Sequence, residues 1–152
     1  MDNTFHVFTD GSVIGNPGPG GWAALLMRSG GNWEMTGSNP WTTISEMELV
    51  AAVEALHSIP AGSPVQLCSD SELLIHGMRF YVWRWQTQGW RNNRGIPLHH
   101  QELWKELITM NGRMNIRWRW IKGHSGHPDQ TRADALAYGA ARTLWCSLRM
   151  AA

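Results

Sequence analysis

Four acidic residues stand where the chain changes its local pattern. Asp10 follows the apolar run Phe5–Thr9 and precedes Gly11, and Asp70 follows Val65–Ser69. Glu48 falls in the first turn of a segment with helical periodicity, and Asp134 in the first turn of a final Ala-rich helix. Carboxylates are the ligands a hard cation such as Mg²⁺ prefers. Hydrolysis of a phosphodiester by two such ions needs several carboxylates around metals about 4 Å apart. If the strands before Asp10 and Asp70 are neighbours, their carboxylates come within roughly 5 Å of each other. Acids that close repel unless a cation lies between them. Each acid also has an ordinary structural role open to it. Asp10-Gly11 can be a turn pair, Glu48 the third helical residue of a capping box, Asp70 a helix cap, and Asp134 a complement to a helix dipole.

The elements that must position these acids follow from periodicity. Phe5–Thr9 reads as a strand ending in a turn at Asp10-Gly11. The segment Gly15–Gly21 reads as punctuation, followed by strands at Trp22–Met27 and Trp33–Ser38. Met47, Val50, Ala51, Val53 and Leu56 follow helical spacing, with Thr43-x-x-Glu46 and Ser45-x-x-Glu48 both resembling capping boxes. A short buried-type strand, Val65–Ser69, precedes a helix that Ser69-x-x-Glu72 could cap. Trp83–Pro97 reads as a Trp-rich protrusion and Leu98–Met110 as a helix. In Ile116–Ile121, Ile116, Trp118 and Trp120 alternate with Arg117 and Arg119, which is strand periodicity with the two tryptophans turned to the core. A Gly/His/Pro loop, Lys122–Thr131, leads to a helix from about Arg132 to Leu148. The strands joined through helices should be parallel and the first three antiparallel. The fold class is therefore α/β, and sites in such sheets form beyond the carboxyl ends of the strands.

Length and composition narrow the possibilities. The 152 residues predict one domain, residues 1–152, with one core. No apolar run approaches the roughly 18 residues of a membrane span, and the N-terminus lacks the pattern of a secretory signal. Cys68 and Cys146 show no metal-ligand spacing and read as reduced thiols. A cytoplasmic protein is expected. The net charge of +1 is low for a nucleic-acid binder.

Five segments, taken in order, carry a stronger signal than any single acid. They are Thr9–Ser12 with Gly15–Trp22, Glu46–Leu49, Ser69–Ser71, Trp120–His127, and Ala133-Asp134. Over roughly residues 5–145 the chain resembles bacterial type 1 ribonuclease H. That resemblance implies a ribonuclease H-like fold, a five-stranded mixed sheet (three antiparallel strands plus two parallel) flanked by helices. It implies a monomeric endonuclease that cuts the RNA strand of an RNA/DNA hybrid, leaving 5′-phosphate and 3′-hydroxyl ends. Asp10, Glu48, Asp70 and Asp134 would hold two Mg²⁺ ions, or Mn²⁺ as a substitute. His124 would sit on a flexible loop and assist proton transfer or product release, a role suited to an imidazole, whereas His127 would be structural. Gly11, Ser12 and Asn16 would approach the RNA strand near its 2′-hydroxyls, which distinguish RNA from DNA. Thr43 would grip a DNA-strand phosphate. The protrusion with Trp83, Arg84, Trp85, Trp90, Arg91 and Arg94 would contact the DNA strand by stacking and phosphate clamping. Two other readings stand beside this one: a DNA-directed nuclease or resolvase on the same fold, and a weakly active hybrid-binding module.

The chain departs from the family pattern around the site. Ile44 stands where an Asn is common, which removes an amide able to bond nucleic acid. Glu72 replaces a Gln two residues after Asp70, adding a fifth carboxylate near the substrate. Gln130 and Thr131 replace an Asn-Glu pair, and His100 replaces an Asn in the phosphate pocket. The protrusion has arginines but no lysine cluster. Fewer phosphate contacts imply weaker hybrid binding and a shallower salt dependence, by about one unit of slope per lost contact.

Overall fold

The computed structural model describes residues 2–151. Five strands form one sheet: β1 (Phe5–Val13), β2 (Gly18–Arg28), β3 (Gly31–Thr42), β4 (Pro64–Ser69) and β5 (Asn115–Trp120). Their spatial order is β3-β2-β1-β4-β5. β1–β2 and β2–β3 pair antiparallel, and β1–β4 and β4–β5 pair parallel. The helices are α1 (Ile44–His57), α2 (Glu72–His76), α3 (Val82–Thr87), α4 (Gln101–Arg113) and α5 (Pro128–Ala151), with a π-helical turn at Gly77–Tyr81 joining α2 to α3. This is the mixed α/β sheet expected from the element order.

The sheet is buried on both faces, so its central strands read as continuous apolar runs. In β1, Val7 points into the larger core with Leu49, Leu67 and Leu107, while Phe8 points the other way, toward Cys68 and Ala133 of α5. Adjacent residues on a strand face opposite sides, so one segment serves both layers. Among the described residues no helix is long and apolar enough to cross a membrane.

Several boundaries differ from the expected ones, and each has a local cause. β1 continues through Asp10 and Gly11 to Val13, paired with Gly20–Ala23 of β2, so Asp10-Gly11 is strand and not a turn. The glycine-rich stretch before Trp22 is also strand. A side chain at Gly20 would strike Thr42, Val13 and Met47, and one at Gly21 would come within 2.5 Å of the Ala137 carbonyl of α5. These glycines let neighbouring elements approach closely. β3 is longer than expected and contains Pro40, which an edge strand tolerates because its outer side has no partner.

At the helix starts, Thr43 caps α1 by accepting the Glu46 amide at 3.2 Å. Glu48 therefore lies in the second turn, not the first. Ser71 caps α2 by accepting the Leu74 amide at 3.1 Å. Ser69, the expected cap, instead accepts the Ser71 amide at 3.0 Å. His100, left-handed at φ 61°, stops α4 from extending back to Leu98. α5 begins at Pro128, where a proline ring suits the first helical position, so Asp134 also lies in a second turn.

The seat of α5 on β2 yields a test. Gly21→Ala would place a methyl 2.5 Å from the Ala137 carbonyl and 2.6 Å from the Ala141 amide nitrogen, and should destabilise by about 1–3 kcal/mol. Gly139→Ala, on the exposed side of the same helix with nothing within 4 Å, should stabilise by about 0.5–1 kcal/mol. Urea unfolding followed by circular dichroism checks both signs.

Candidate metal centre

Asp10 and Asp70 meet where β1 and β4 stop pairing. The parallel register ends at Phe8↔Cys68. Asp10 lies two residues further on, still paired to Ala23 of β2, and Asp70 directly follows Ser69, the last residue of β4. Gly11 brings the third acid in. A Cβ there would fall 2.7 Å from the Glu48 amide nitrogen and 2.8 Å from the Met47 carbonyl carbon, so α1 rests directly on the β1 backbone. Oxygen atoms of Asp10, Glu48 and Asp70 then lie within 4.8 Å of one another.

Asp134 lies outside that tight group but lines a small cleft with Asp70, Lys122, His124, His127 and Gln130. It also raises the proton affinities of Asp10 and Asp70 through space.

The electrostatics match a site built for a cation. Asp10 is only 4% exposed. Its carboxyl is pushed up to about 8, first by burial and then by Asp70, with Glu48 and Asp134 adding to the effect and the Gly11 amide opposing it. That amide donates to Asp10 Oδ1 at 2.9 Å. Burial and Asp70 push Glu48 up to about 7 against a hydrogen bond from the Ser71 hydroxyl. Asp70 is raised as well, by burial and then by Asp134, while His124 opposes the rise. Three acids that resist ionisation together are a natural seat for a divalent ion, whose charge replaces the missing protons.

Some positioning groups carry no sequence signal of their own. Trp120, expected in the core, is 40% exposed, and its indole Nε1–H donates to the Asp70 carbonyl at 3.1 Å. Trp118 is the half-buried one of the pair, donating to Asn111 Oδ1 at 2.9 Å. Gly123 lets its loop pass the site, since a Cβ there would lie 2.8 Å from Asp70 Oδ2. Gln130 is buried and donates from Nε2 to the Thr9 carbonyl at 3.1 Å, tying the start of α5 to the residue before Asp10. A glutamine that looked like an altered substrate contact is thus a strut between α5 and β1. Only a structure places its partner, 121 residues away.

The remaining sequence-selected residues fall around this centre. His124 is exposed, in a left-handed conformation at φ 55°. His127 packs its ring on Phe8 at 5.0 Å. Ser12 is half-buried in β1. Asn16 accepts the Ile44 amide at 3.1 Å, bracing the loop after β1 against the start of α1. Near that helix start, His100 Nδ1 lies 3.5 Å from Glu46 Oε2, and burial lowers the proton affinity of its ring more than Glu46 raises it. Glu72 is exposed at the first position of α2, outside the three-acid group.

In the protrusion, Trp85 and Trp90 are half-buried against the larger core. Trp85 meets Trp104 edge-on at 5.0 Å, and Lys105 lies over Trp90 at 5.6 Å. Arg91 is exposed and donates to the Gly95 carbonyl at 2.8 Å. Trp83, Arg84 and Arg94 are exposed.

The raised acids predict a distinct pH dependence for the metal-free protein. Asp10 moves from 3.8 in the unfolded chain to about 8 when folded. The folded state therefore binds more protons between those values, and stability falls as pH rises through that window. In EDTA the thermal midpoint should drop from pH 5 to pH 8, and Mg²⁺ should recover the loss at pH 8. Asp10→Asn should flatten the drop and raise the metal-free midpoint at pH 8 by about 3 °C for each 1 kcal/mol of repulsion removed. A midpoint that climbs over the same range would contradict the cluster's electrostatics.

Comparison with known proteins agrees with this geometry. A family model described as RNase H matches residues 2–142. Ribonuclease H of Rhizobium meliloti (strain 1021) is 42% identical over 132 residues, 87% of this chain and 86% of that protein. Ribonuclease HI of Caulobacter vibrioides is 41% identical over 131 residues, 86% of this chain and 88% of that protein. The crystal structure of LC9-RNase H1, a type 1 RNase H with the type 2 active-site motif, superposes with a TM-score of 0.83 at 29% identity, covering 95% of this chain and 74% of that one. LC11-RNase H1, solved in complex with RNA/DNA hybrid, shares the fold at a TM-score of 0.66 and 20% identity, covering 91% of this chain and 97% of that one. With its acids gathered at the fork of β1 and β4 and its match extending over almost the whole sequence, the chain belongs to the RNase H family.

Proposed function

We propose that this protein hydrolyses the RNA strand of RNA/DNA hybrids, acting as a cytoplasmic monomer with Mg²⁺ as its metal and Mn²⁺ as a substitute. The observation that carries the reading is the cluster of Asp10, Glu48 and Asp70, with oxygens within 4.8 Å of one another, in a chain that belongs to the RNase H family. The donor set fits the group: all three are hard oxygen ligands, which Mg²⁺ and Mn²⁺ prefer.

Asp10, Glu48 and Asp70 would hold the ions, with Asp134 completing the set from across the cleft. When bound, divalent ions supply Lewis acidity toward water, the scissile phosphate and the leaving oxygen. The other steps belong to this chain. Gly11, by letting α1 rest on the β1 backbone, holds Glu48 beside Asp10, where the scissile phosphate would lie. Asn16 braces the loop beside that strand. Water attacks phosphorus in line, a new P–O bond forms as the bond to the 3′-oxygen breaks, and the proton lost by water ends on that oxygen. His124, exposed on its loop and lining the cleft with Asp70 and Asp134, can take and return a proton at its imidazole. No covalent intermediate is needed, and the products carry 5′-phosphate and 3′-hydroxyl ends.

The substrate side has fewer free groups than its residue types suggest. Thr43 Oγ1 is engaged as the α1 cap, and Trp85 and Trp90 are engaged by the core. The exposed Arg84 and Arg94 remain for phosphates, with those donors of Arg91 that the Gly95 carbonyl does not take. This arrangement supports weak binding of hybrid with the chemical step preserved.

Asp10→Asn or Asp70→Asn should nearly abolish Mg²⁺-dependent cleavage of a labelled hybrid while leaving the circular dichroism spectrum intact. Substantial cleavage by either variant would remove the assignment. His124→Ala should slow turnover yet leave it measurable. Glu72→Gln removes a negative charge from the start of α2. It should lower KM for hybrid by about two- to fivefold at low salt, the effect of about 0.5–1 kcal/mol expected for an exposed charge, with kcat unchanged.

A further inference from the structure

β5 is the outer strand on the side of the sheet away from β3. Its register places Arg117 beside Gln66 and Arg119 beside Cys68 of β4. Ile116 and Trp118 turn inward and pack on the larger core, while Trp120 stays exposed at the strand's end. His76 of α2 and Arg79 of the π-helical turn approach the same edge. Three arginines, a histidine and two tryptophans thus border an open groove of about 770 Å³.

The groove's charge is out of proportion to the chain's. Overall, 13 Lys and Arg nearly balance 12 Asp and Glu, yet three of those cations line the groove and none of the acids does. Among the described residues, Arg117, Arg119 and Arg79 make no ion pair. Charge on an edge strand can serve simply to block edge-to-edge pairing. That purpose does not call for exposed indole surface beside the charges, or for a link to the metal centre. Here Trp120 provides both, since its indole N–H holds the Asp70 carbonyl at 3.1 Å. The groove therefore begins at the backbone of one of the clustered acids and follows about 13 Å of strand edge, Trp120 back to Ile116, away from it.

Cations interleaved with aromatic surface suit a polyanion carrying flat rings that are free to stack. Unpaired nucleotides have such rings, whereas bases inside a duplex are already stacked. We propose that this groove binds single-stranded nucleic acid continuous with the hybrid, taking about four nucleotides of an RNA or DNA tail that leaves the duplex beside Asp70. Arg117 and Arg119 contact its phosphates, and Trp120 with Arg79 offers stacking surface. The substrate's identity rests on the proposed function, but occupancy of the groove is measurable without cleavage.

The experiment measures fluorescence anisotropy in EDTA with a blunt hybrid, the same hybrid carrying a single-stranded tail on the RNA strand or on the DNA strand, and the free single strands. For the wild-type protein, a tail should tighten binding about tenfold near 50 mM salt and steepen the salt dependence by about two units. The arm with the larger gain identifies the strand. Arg117→Glu/Arg119→Glu should lose that gain while binding and cleaving the blunt hybrid as the wild type does. Should the charge reversal fail to fold, as judged by its thermal midpoint, Arg117→Ser/Arg119→Ser takes its place. Equal affinity for blunt and tailed hybrids in the wild type, or a tail gain that survives in the variant, overturns the proposal. So does a Glu-rich peptide that binds through these arginines while tails add nothing, which would assign the groove to an acidic protein segment. Failure to cleave blunt hybrid would count against the proposed function alone, because the tail gain is read from binding.

Discussion

Three carboxylates share a space in which burial and mutual repulsion raise the proton affinity of each above the ordinary carboxylate range. Asp10 is the most constrained, being nearly buried and pushed up to about 8. Much of the nearby architecture can be understood as holding that unfavourable group in place. β1 keeps Asp10 in a paired ladder with β2. The absence of a side chain at Gly11 seats α1 on the strand. Gln130 ties α5 to the residue before Asp10, and Trp120 holds the backbone of Asp70 from the sheet edge. A fold that concentrates like charge needs rigid neighbours on every side, and here they come from both helical layers and from an outer strand.

The topology explains why that concentration falls where it does. β1 and β4 are parallel and pair only as far as Phe8↔Cys68. Beyond that point the two chains separate, and their next residues face a common opening. This is the crevice at strand carboxyl ends that α/β sheets commonly use for ligands. Asp134 and the His124 loop reach the same opening from the far side because α5 lies across β1 and β2.

Much of this was legible in the residues. Apolar runs, turn signals, one alternating segment and helical spacing place all five strands and the longer helices, and the acids stand out by their places near strand ends and helix starts. Contact at a distance leaves no such local pattern. The glycines before Trp22 looked like loop because glycine usually marks one, whereas here they let α1, β3 and α5 come close. Trp120 looked like core because it shares the periodicity of Ile116 and Trp118, yet the strand ends at the surface there. Ser69 and Ser71 both suit the capping role at α2, and only the hydrogen bonds distinguish them. Local pattern reports what a residue prefers, and these positions were decided by partners far along the chain.

The seat of α5 illustrates a broader point about where structural information is stored. The helix turns its Ala137 carbonyl and Ala141 amide toward Gly21, with no room for even a methyl group between helix and strand. Its lateral position is thus written in β2, as missing atoms, more than in its own residues. The outward face of α5, with Tyr138, Gly139, Arg142 and Thr143 exposed, is correspondingly free to vary. Relatives could drift widely along that helix, or fuse new segments beyond it, while the carboxylate it carries at Asp134 stays in register with the sheet.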